Sequence, residues 1–279
     1  MNTKIKKAFL VLLAFCCVAA FPGKNITWIA IGDSITYLND HPDETGNRVN
    51  KGYLTRVAEK LPGVRYVNQG HNGWTSGGIA AEIENLGLSK ADIYTVFLGT
   101  NDWWSGRRIG AIEDYTLNRG NNSVYGSFRI IINKLRSLNP SAKIILITPM
   151  KRGDFVQVGN PRNLAWGSYR DTNGQSLADF AEAIKEIGKL EQIPVIDLYN
   201  KSGMTHKNMV RFKRLMDPAS GSYRNYKYPS YIDIPFHPDK DEYPYPLESI
   251  DMTYDGLHPS DKGNAIIAKM LVKEMKKYK

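Results

Sequence analysis

Short apolar runs alternate with amphipathic stretches along most of the chain. Five runs of strand length predict buried strands, and they cover residues 26–31, 64–67, 93–98, 143–148 and 193–198. Apolar residues at helical spacing predict helices between them, over residues 52–61, 79–86, 124–135 and 177–190. A last predicted helix carries Ile266, Ile267, Met270, Leu271 and Met275 on one face.

This alternation of strands and helices predicts an α/β fold with one doubly wound parallel sheet. The predicted strands lack polar alternation, which is typical of strands covered by helices on both faces. Ligands of such sheets bind beyond the carboxyl ends of the strands. The residues that follow each strand are therefore the first candidates for a functional site.

Residues 200–250 interrupt the pattern. Six of the 14 prolines and six of the 16 tyrosines lie between Pro218 and Pro246. A segment this long without a regular period is usually functional or disordered, and its aromatic content argues against disorder. We expect a structured insertion at about 200–250.

The first 20 residues have the layout of a secretory signal peptide. Lys4, Lys6 and Lys7 precede an apolar run over residues 8–20 that ends in small residues. The run is shorter than the about 20 residues that a membrane span needs. We therefore expect export to the periplasm or the exterior, no membrane span, and a mature domain over residues 21–279.

The charge and the positions of the cysteines exclude further classes of protein. Both cysteines, Cys16 and Cys17, lie in the predicted signal, which leaves a lipid anchor open and excludes a disulfide framework elsewhere. The formal charge is +9, and cleavage after residue 20 would remove three lysines. The remaining basic residues form no long run and no nucleic-acid motif, so no nucleic-acid partner is expected.

Candidate chemistry follows the first two predicted strands. Strand one runs into Gly32-Asp33-Ser34, where Ser34 is either a nucleophile or simply the cap of the next helix. Strand two runs into a loop containing Gly70 and Gly73. Its amide hydrogens could hold a developing oxyanion, or the loop could be an ordinary turn.

Two further segments carry complementary groups. Asn101 follows strand three and could donate to the same oxyanion, or it could be a turn residue. Asp255 precedes His258 by three residues, a spacing that lets the carboxylate reach the imidazole. Such a carboxylate orients the ring and stabilises the imidazolium that forms when histidine accepts a proton.

These four segments, taken together and in order, resemble the blocks of the SGNH hydrolases, also called the GDSL esterase and lipase family. The resemblance spans residues 29–260 and implies a three-layer, flavodoxin-like α/β/α fold with five parallel strands. It implies that Ser34, Asp255 and His258 are catalytic. It also implies an oxyanion hole made by the Ser34 and Gly73 amides and the Asn101 side chain, with Gly70 as a competitor for Gly73. The family's mechanism requires no metal and no cofactor.

The expected function is a secreted serine esterase that acts on a small-molecule or polysaccharide ester. Asp33, Trp74, Trp103 and Trp104 are predicted substrate contacts, because they lie beside the blocks and aromatic rings stack well on sugars. This favours a carbohydrate O-acetylesterase. A GDSL-type lipase or lysophospholipase and a non-catalytic carbohydrate-binding protein on the same scaffold remain alternatives.

Overall fold

The computed structural model describes residues 25–278. The predicted signal peptide over residues 1–20, with Cys16 and Cys17, lies outside the described residues. Among the helices that are described, none is both long and apolar enough to cross a membrane.

The main sheet is parallel and has the strand order β2-β1-β3-β4-β7. Two antiparallel hairpins, β5–β6 and β8–β9, lie outside it. The strands are β1 (Ile26–Gly32), β2 (Val64–Gly70), β3 (Ile93–Phe97), β4 (Lys143–Ile147), β5 (Phe155–Gln157), β6 (Asn160–Ala165), β7 (Val195–Ile196), β8 (Lys213–Met216) and β9 (Tyr223–Tyr226). The predicted doubly wound, flavodoxin-like sheet is thus confirmed.

Helices cover both faces of this sheet. They are α1 (Ser34–Tyr37), α2 (Tyr53–Lys60), α3 (Ser76–Ala81), α4 (Thr100–Trp104), α5 (Ile112–Thr116), α6 (Val124–Leu138), α7 (Leu177–Glu191), α8 (Leu198–Lys201) and α9 (Asp261–Met275). Alternate residues of β1 enter different cores: Ile29 and Ile31 pack with α3, α6 and α7, whereas Trp28 and Ala30 pack with α2 and α9. This period of two produces the predicted three layers.

Several elements differ from the sequence prediction. The helix predicted over residues 79–86 is α3, which begins and ends earlier. The fifth strand has only two residues, because Pro194 has no amide hydrogen to extend the ladder before it and Asp197 caps α8 directly after it. The β5–β6 hairpin was not predicted at all, since Pro161 and several polar residues mask its strand pattern.

The segment over residues 200–250 is built into the fold. It contains the β8–β9 hairpin and a 3₁₀ helix at Leu247–Ser249. Its Tyr245 is buried and donates to the Asp154 carbonyl, while Tyr243 donates to the Val156 carbonyl over 2.8 Å. The segment therefore supports the root of the β5–β6 hairpin.

Candidate active site

Ser34 begins α1 directly after the first strand of the sheet. Asp33 is the N-cap of this short helix, and its carboxylate accepts a hydrogen bond from the Ile35 amide over 2.9 Å. The interpretation of Ser34 as the capping residue is therefore wrong. Its hydroxyl is free to take part in a different interaction.

That interaction joins the two ends of the chain. The Ser34 Oγ lies 2.9 Å from His258 Nε2, and His258 Nδ1 lies 2.6 Å from Asp255 Oδ2. Asp255 and His258 are almost fully buried, whereas Ser34 is partly exposed. The order hydroxyl, imidazole, carboxylate is the arrangement of a serine-hydrolase triad.

Backbone hydrogen bonds fix the carboxylate. Asp255 Oδ1 accepts from the Leu257 amide over 3.0 Å and from the His258 amide over 2.7 Å. The strand-forming segment at 153–156 runs beside this turn: the Gly153 amide donates to the Gly256 carbonyl over 2.8 Å, and the Val156 amide donates to the Asp255 carbonyl over 3.1 Å. The acid is thus held from two sides before any substrate arrives.

The two glycines of the second block have different environments. Gly73 lines the same cavity as Ser34, and its amide has no acceptor within residues 25–278. The Gly70 amide already donates to Asn68 Oδ1 over 2.9 Å, and a Cβ at this position would lie 2.1 Å from the Tyr37 backbone nitrogen. Gly70 therefore allows β2 to approach α1 closely, whereas Gly73 lines the cavity and its amide keeps its hydrogen for another acceptor.

Asn101 lies in α4 and lines this cavity as well. Its Nδ2 donates to the Trp74 carbonyl over 3.0 Å. An amide nitrogen carries two hydrogens, so a second donor remains for a ligand. Ser34, Gly73 and Asn101 thus line one cavity.

Buried carboxylates surround the site. Burial raises the pKa of Asp33 to about 6. Burial also raises the pKa of Asp102, although this carboxylate accepts from the Ser76 amide over 2.8 Å and from the Ser76 hydroxyl over 2.7 Å. Because Ser76 begins α3 just after the glycine loop, Asp102 ties that loop to the asparagine block.

The cavity has a volume of about 140 Å³. Beyond the groups already described, the lining contains apolar and polar side chains. The apolar and aromatic ones are Leu38, Trp104, Phe155, Val158, Tyr254 and Leu257, and the polar ones are Glu44, Asn72, Gln157 and Asn163. Asn163 Nδ2 donates to Gln157 Oε1 over 2.8 Å, which orders two of the polar residues.

Only one of the four predicted substrate contacts lies in the lining of the cavity. Trp104 lines the cavity, but Trp103 is fully buried and donates to the Gln175 carbonyl, so its prediction is wrong. Asp33 is 2% exposed and does not line the cavity, so that prediction is wrong too. Trp74 stacks on His71 with ring centres 4.6 Å apart and also lies outside the lining.

Sequence reasoning missed the residues that the β5–β6 hairpin brings to the cavity. These residues are far along the chain from the four blocks of the family resemblance, and no motif marks them: Phe155, Gln157, Val158 and Asn163. Asn72 could have been found, because it directly precedes Gly73 in the glycine block. The insertion over residues 200–250 adds no residue to the lining.

The fold and this arrangement agree with a family assignment. A model of the GDSL-like Lipase/Acylhydrolase family matches residues 30–266, and the chain therefore belongs to this family. Its members act on ester bonds, so the protein is an acylhydrolase.

Three solved structures illustrate what the chain is similar to. A possible lipase from Chitinophaga pinensis is 62% identical, with a TM-score of 0.90 over 91% of this chain and 98% of its own. A protein from Lactobacillus plantarum is 19% identical, with a TM-score of 0.60 over 92% and 99%. An acetyl xylan esterase, AlAXEase, is 19% identical, with a TM-score of 0.53 over 89% and 99%. No curated protein sequence is significantly similar to the chain.

Proposed function

We propose that the protein is a serine esterase that works through an acyl-serine intermediate. The observation that carries the proposal is the unbroken chain of hydrogen-bonding distances from Ser34 through His258 to Asp255. In the first step, Ser34 Oγ attacks the ester carbonyl carbon while His258 Nε2 accepts its proton. His258 then protonates the departing alcohol.

The developing negative charge on the carbonyl oxygen has three donors nearby. They are the amides of Ser34 and Gly73 and the side chain of Asn101. A water molecule, deprotonated by His258, then attacks the acyl-serine and releases the carboxylic acid and free Ser34. Donors that are in place before the reaction stabilise the tetrahedral intermediate without having to reorganise.

We further propose that the substrate is an acetyl ester of a carbohydrate. A cavity of about 140 Å³ is smaller than the about 300–1,000 Å³ of typical pockets for drug-sized ligands, which favours a short acyl group. Besides Asn101, the lining carries three amide side chains and the Glu44 carboxylate. Such groups donate to and accept from the hydroxyls of a sugar, and they offer little to a fatty alcohol.

A lipase is the second candidate, because the 62% identical Chitinophaga protein is described as a possible lipase. The acetyl xylan esterase shares only the fold at its level of identity, so its substrate does not decide between the two. The two candidate functions differ in the length of the acyl chain that the enzyme should prefer.

The deciding experiment compares acetylated xylo-oligosaccharides and aryl acetates with aryl esters of long fatty acids. We expect hydrolysis of the acetyl esters and little of the long-chain esters. A marked preference for long-chain esters would contradict the acetylesterase proposal and favour a lipase. The Ser34→Ala variant should lose all activity and labelling by a fluorophosphonate. An unlabelled wild-type protein would instead favour a non-catalytic carbohydrate-binding protein.

Export is part of the proposal. The basic and apolar pattern of residues 1–20 supports a cleaved signal, and an extracellular or periplasmic enzyme would meet acetylated polysaccharides. Mass spectrometry of the protein recovered from its native host tests this. A mature chain that begins after residue 20 is expected, whereas a lipid-modified Cys16 or Cys17 would establish an anchor.

A further inference from the structure

Two aromatic rings of the cavity lining, those of Trp104 and Phe155, pack against each other. They meet edge to face, with ring centres 5.9 Å apart and planes inclined by 78°. Phe155 also contacts the candidate base directly, at 5.4 Å between its ring and that of His258. The two rings therefore form an apolar wall beside His258, in the cavity that Ser34 also lines.

The buried Arg152 stands behind this wall. Its guanidinium carbon lies 5.2 Å from the centre of the Trp104 ring and 5.9 Å from that of Phe155. Its side chain is fully buried, and none of its three side-chain nitrogens has a hydrogen-bond partner among residues 25–278. The arginine thus contacts its surroundings through the aromatic rings, which is the geometry of a cation–π interaction.

The backbone on both sides restricts the wall further. Phe155 pairs with Ala165 across the β5–β6 hairpin, and the Arg152 amide donates to the Ser168 hydroxyl over 3.0 Å. Displacing either ring would require moving a charge that is already desolvated. Because interiors are close-packed, such a wall resists a longer chain instead of yielding to it.

We propose that Trp104 and Phe155 receive the methyl group of the acyl chain and limit the enzyme to short acyl groups, with Trp104 as the residue that determines specificity. This inference rests on the proposed esterase function. The polar lining residues Glu44, Asn72, Gln157 and Asn163 are then left for the alcohol. This assignment follows from the chemistry of the side chains, because an alkyl group gains from apolar rings and sugar hydroxyls gain from amides.

The test measures kcat/KM of Trp104→Ala on 4-nitrophenyl acetate, butyrate and hexanoate. Each methylene moved from water to an apolar site is worth roughly a fourfold gain, so two methylenes should raise the butyrate-to-acetate ratio about sixteenfold. Trp166→Ala is the matched control, because Trp166 is 42% exposed and does not line the cavity. Its ratio should equal that of the wild type.

The outcomes separate this inference from the esterase proposal. If Ser34→Ala retains full hydrolysis, the proposed function fails. If Ser34→Ala is inactive but a folded Trp104→Ala keeps the wild-type ratio, only the acyl wall is refuted. An equal change in the ratio of Trp166→Ala would also refute it. Should Trp104→Ala not fold, Trp104→Phe decides, with a smaller rise of about two- to fourfold expected and no rise overturning the proposal.

Discussion

Replacing Asp33 with asparagine should change how stability depends on pH. Asp33 is 2% exposed, and burial raises its pKa from the ordinary 3.8 to about 6. The folded protein therefore holds this proton more tightly than the unfolded chain does. The free energy of unfolding must then fall as the pH rises from about 4 to above about 6. One pKa unit corresponds to about 1.36 kcal/mol, so complete ionisation of Asp33 costs the folded state about 3 kcal/mol.

Asp33→Asn removes this titration and retains the local structure. The asparagine oxygen can still accept from the Ile35 amide, and asparagine caps helices as well as aspartate does. The variant and the wild type should therefore be similarly stable near pH 4. Near pH 8 the variant should be more stable by up to about 3 kcal/mol.

Urea unfolding followed by tryptophan fluorescence measures both proteins across this range. The quantity to compare is the difference between variant and wild type, because other titrating groups cancel in it. A difference that stays constant between pH about 4 and about 8 would refute the argument. So would a variant that is less stable than the wild type at the higher pH.

Four other substitutions test the site, three of them by turnover of an aryl acetate and one by urea unfolding. Asn101→Ala should lower kcat about 10²- to 10³-fold through loss of one oxyanion donor, and a full rate would remove Asn101 from the mechanism. Asp255→Asn should lower kcat by about 10⁴-fold with little change in KM, whereas a loss below tenfold would contradict its role. Gly70→Ala should destabilise the fold by about 1–3 kcal/mol in urea unfolding, because its Cβ would meet the Tyr37 backbone. Gly73→Ala meets no atom within 4 Å, but the backbone φ of +75° strains an alanine, so we expect a displaced amide and mainly a loss of kcat. Unchanged kcat in the Gly73 variant would favour another donor.

The parts of the site that could be predicted are those fixed by the ends of strands. Ser34, Gly73 and Asn101 each follow a strand of one parallel sheet, and such strands end at the same edge. The topology therefore brings them together once the strands are recognised. Asp255 and His258 join them through a local turn whose spacing is visible in the sequence.

The wrong prediction for Trp103 depends on which side of the short helix α4 faces the core. Trp103 and Trp104 are neighbours in α4, and successive helical residues point about 100° apart. One ring therefore enters the core and the other enters the cavity. The sequence shows two equivalent tryptophans, and only the packing of α4 against α7 distinguishes them.

The β5–β6 hairpin could not be predicted because its role depends on contacts distant in sequence. Its root at residues 153–156 pairs with the Asp255 turn, about 100 residues away along the chain. The Tyr243 and Tyr245 hydroxyls then donate to carbonyls of that root from the other side. The insertion over residues 200–250 therefore contacts the site through the hairpin. Its tyrosines bind the root of the hairpin, and that root in turn binds the Asp255 turn and positions Phe155 in the aromatic wall. A change in the insertion should consequently alter turnover and acyl preference together, even though none of its residues lines the cavity.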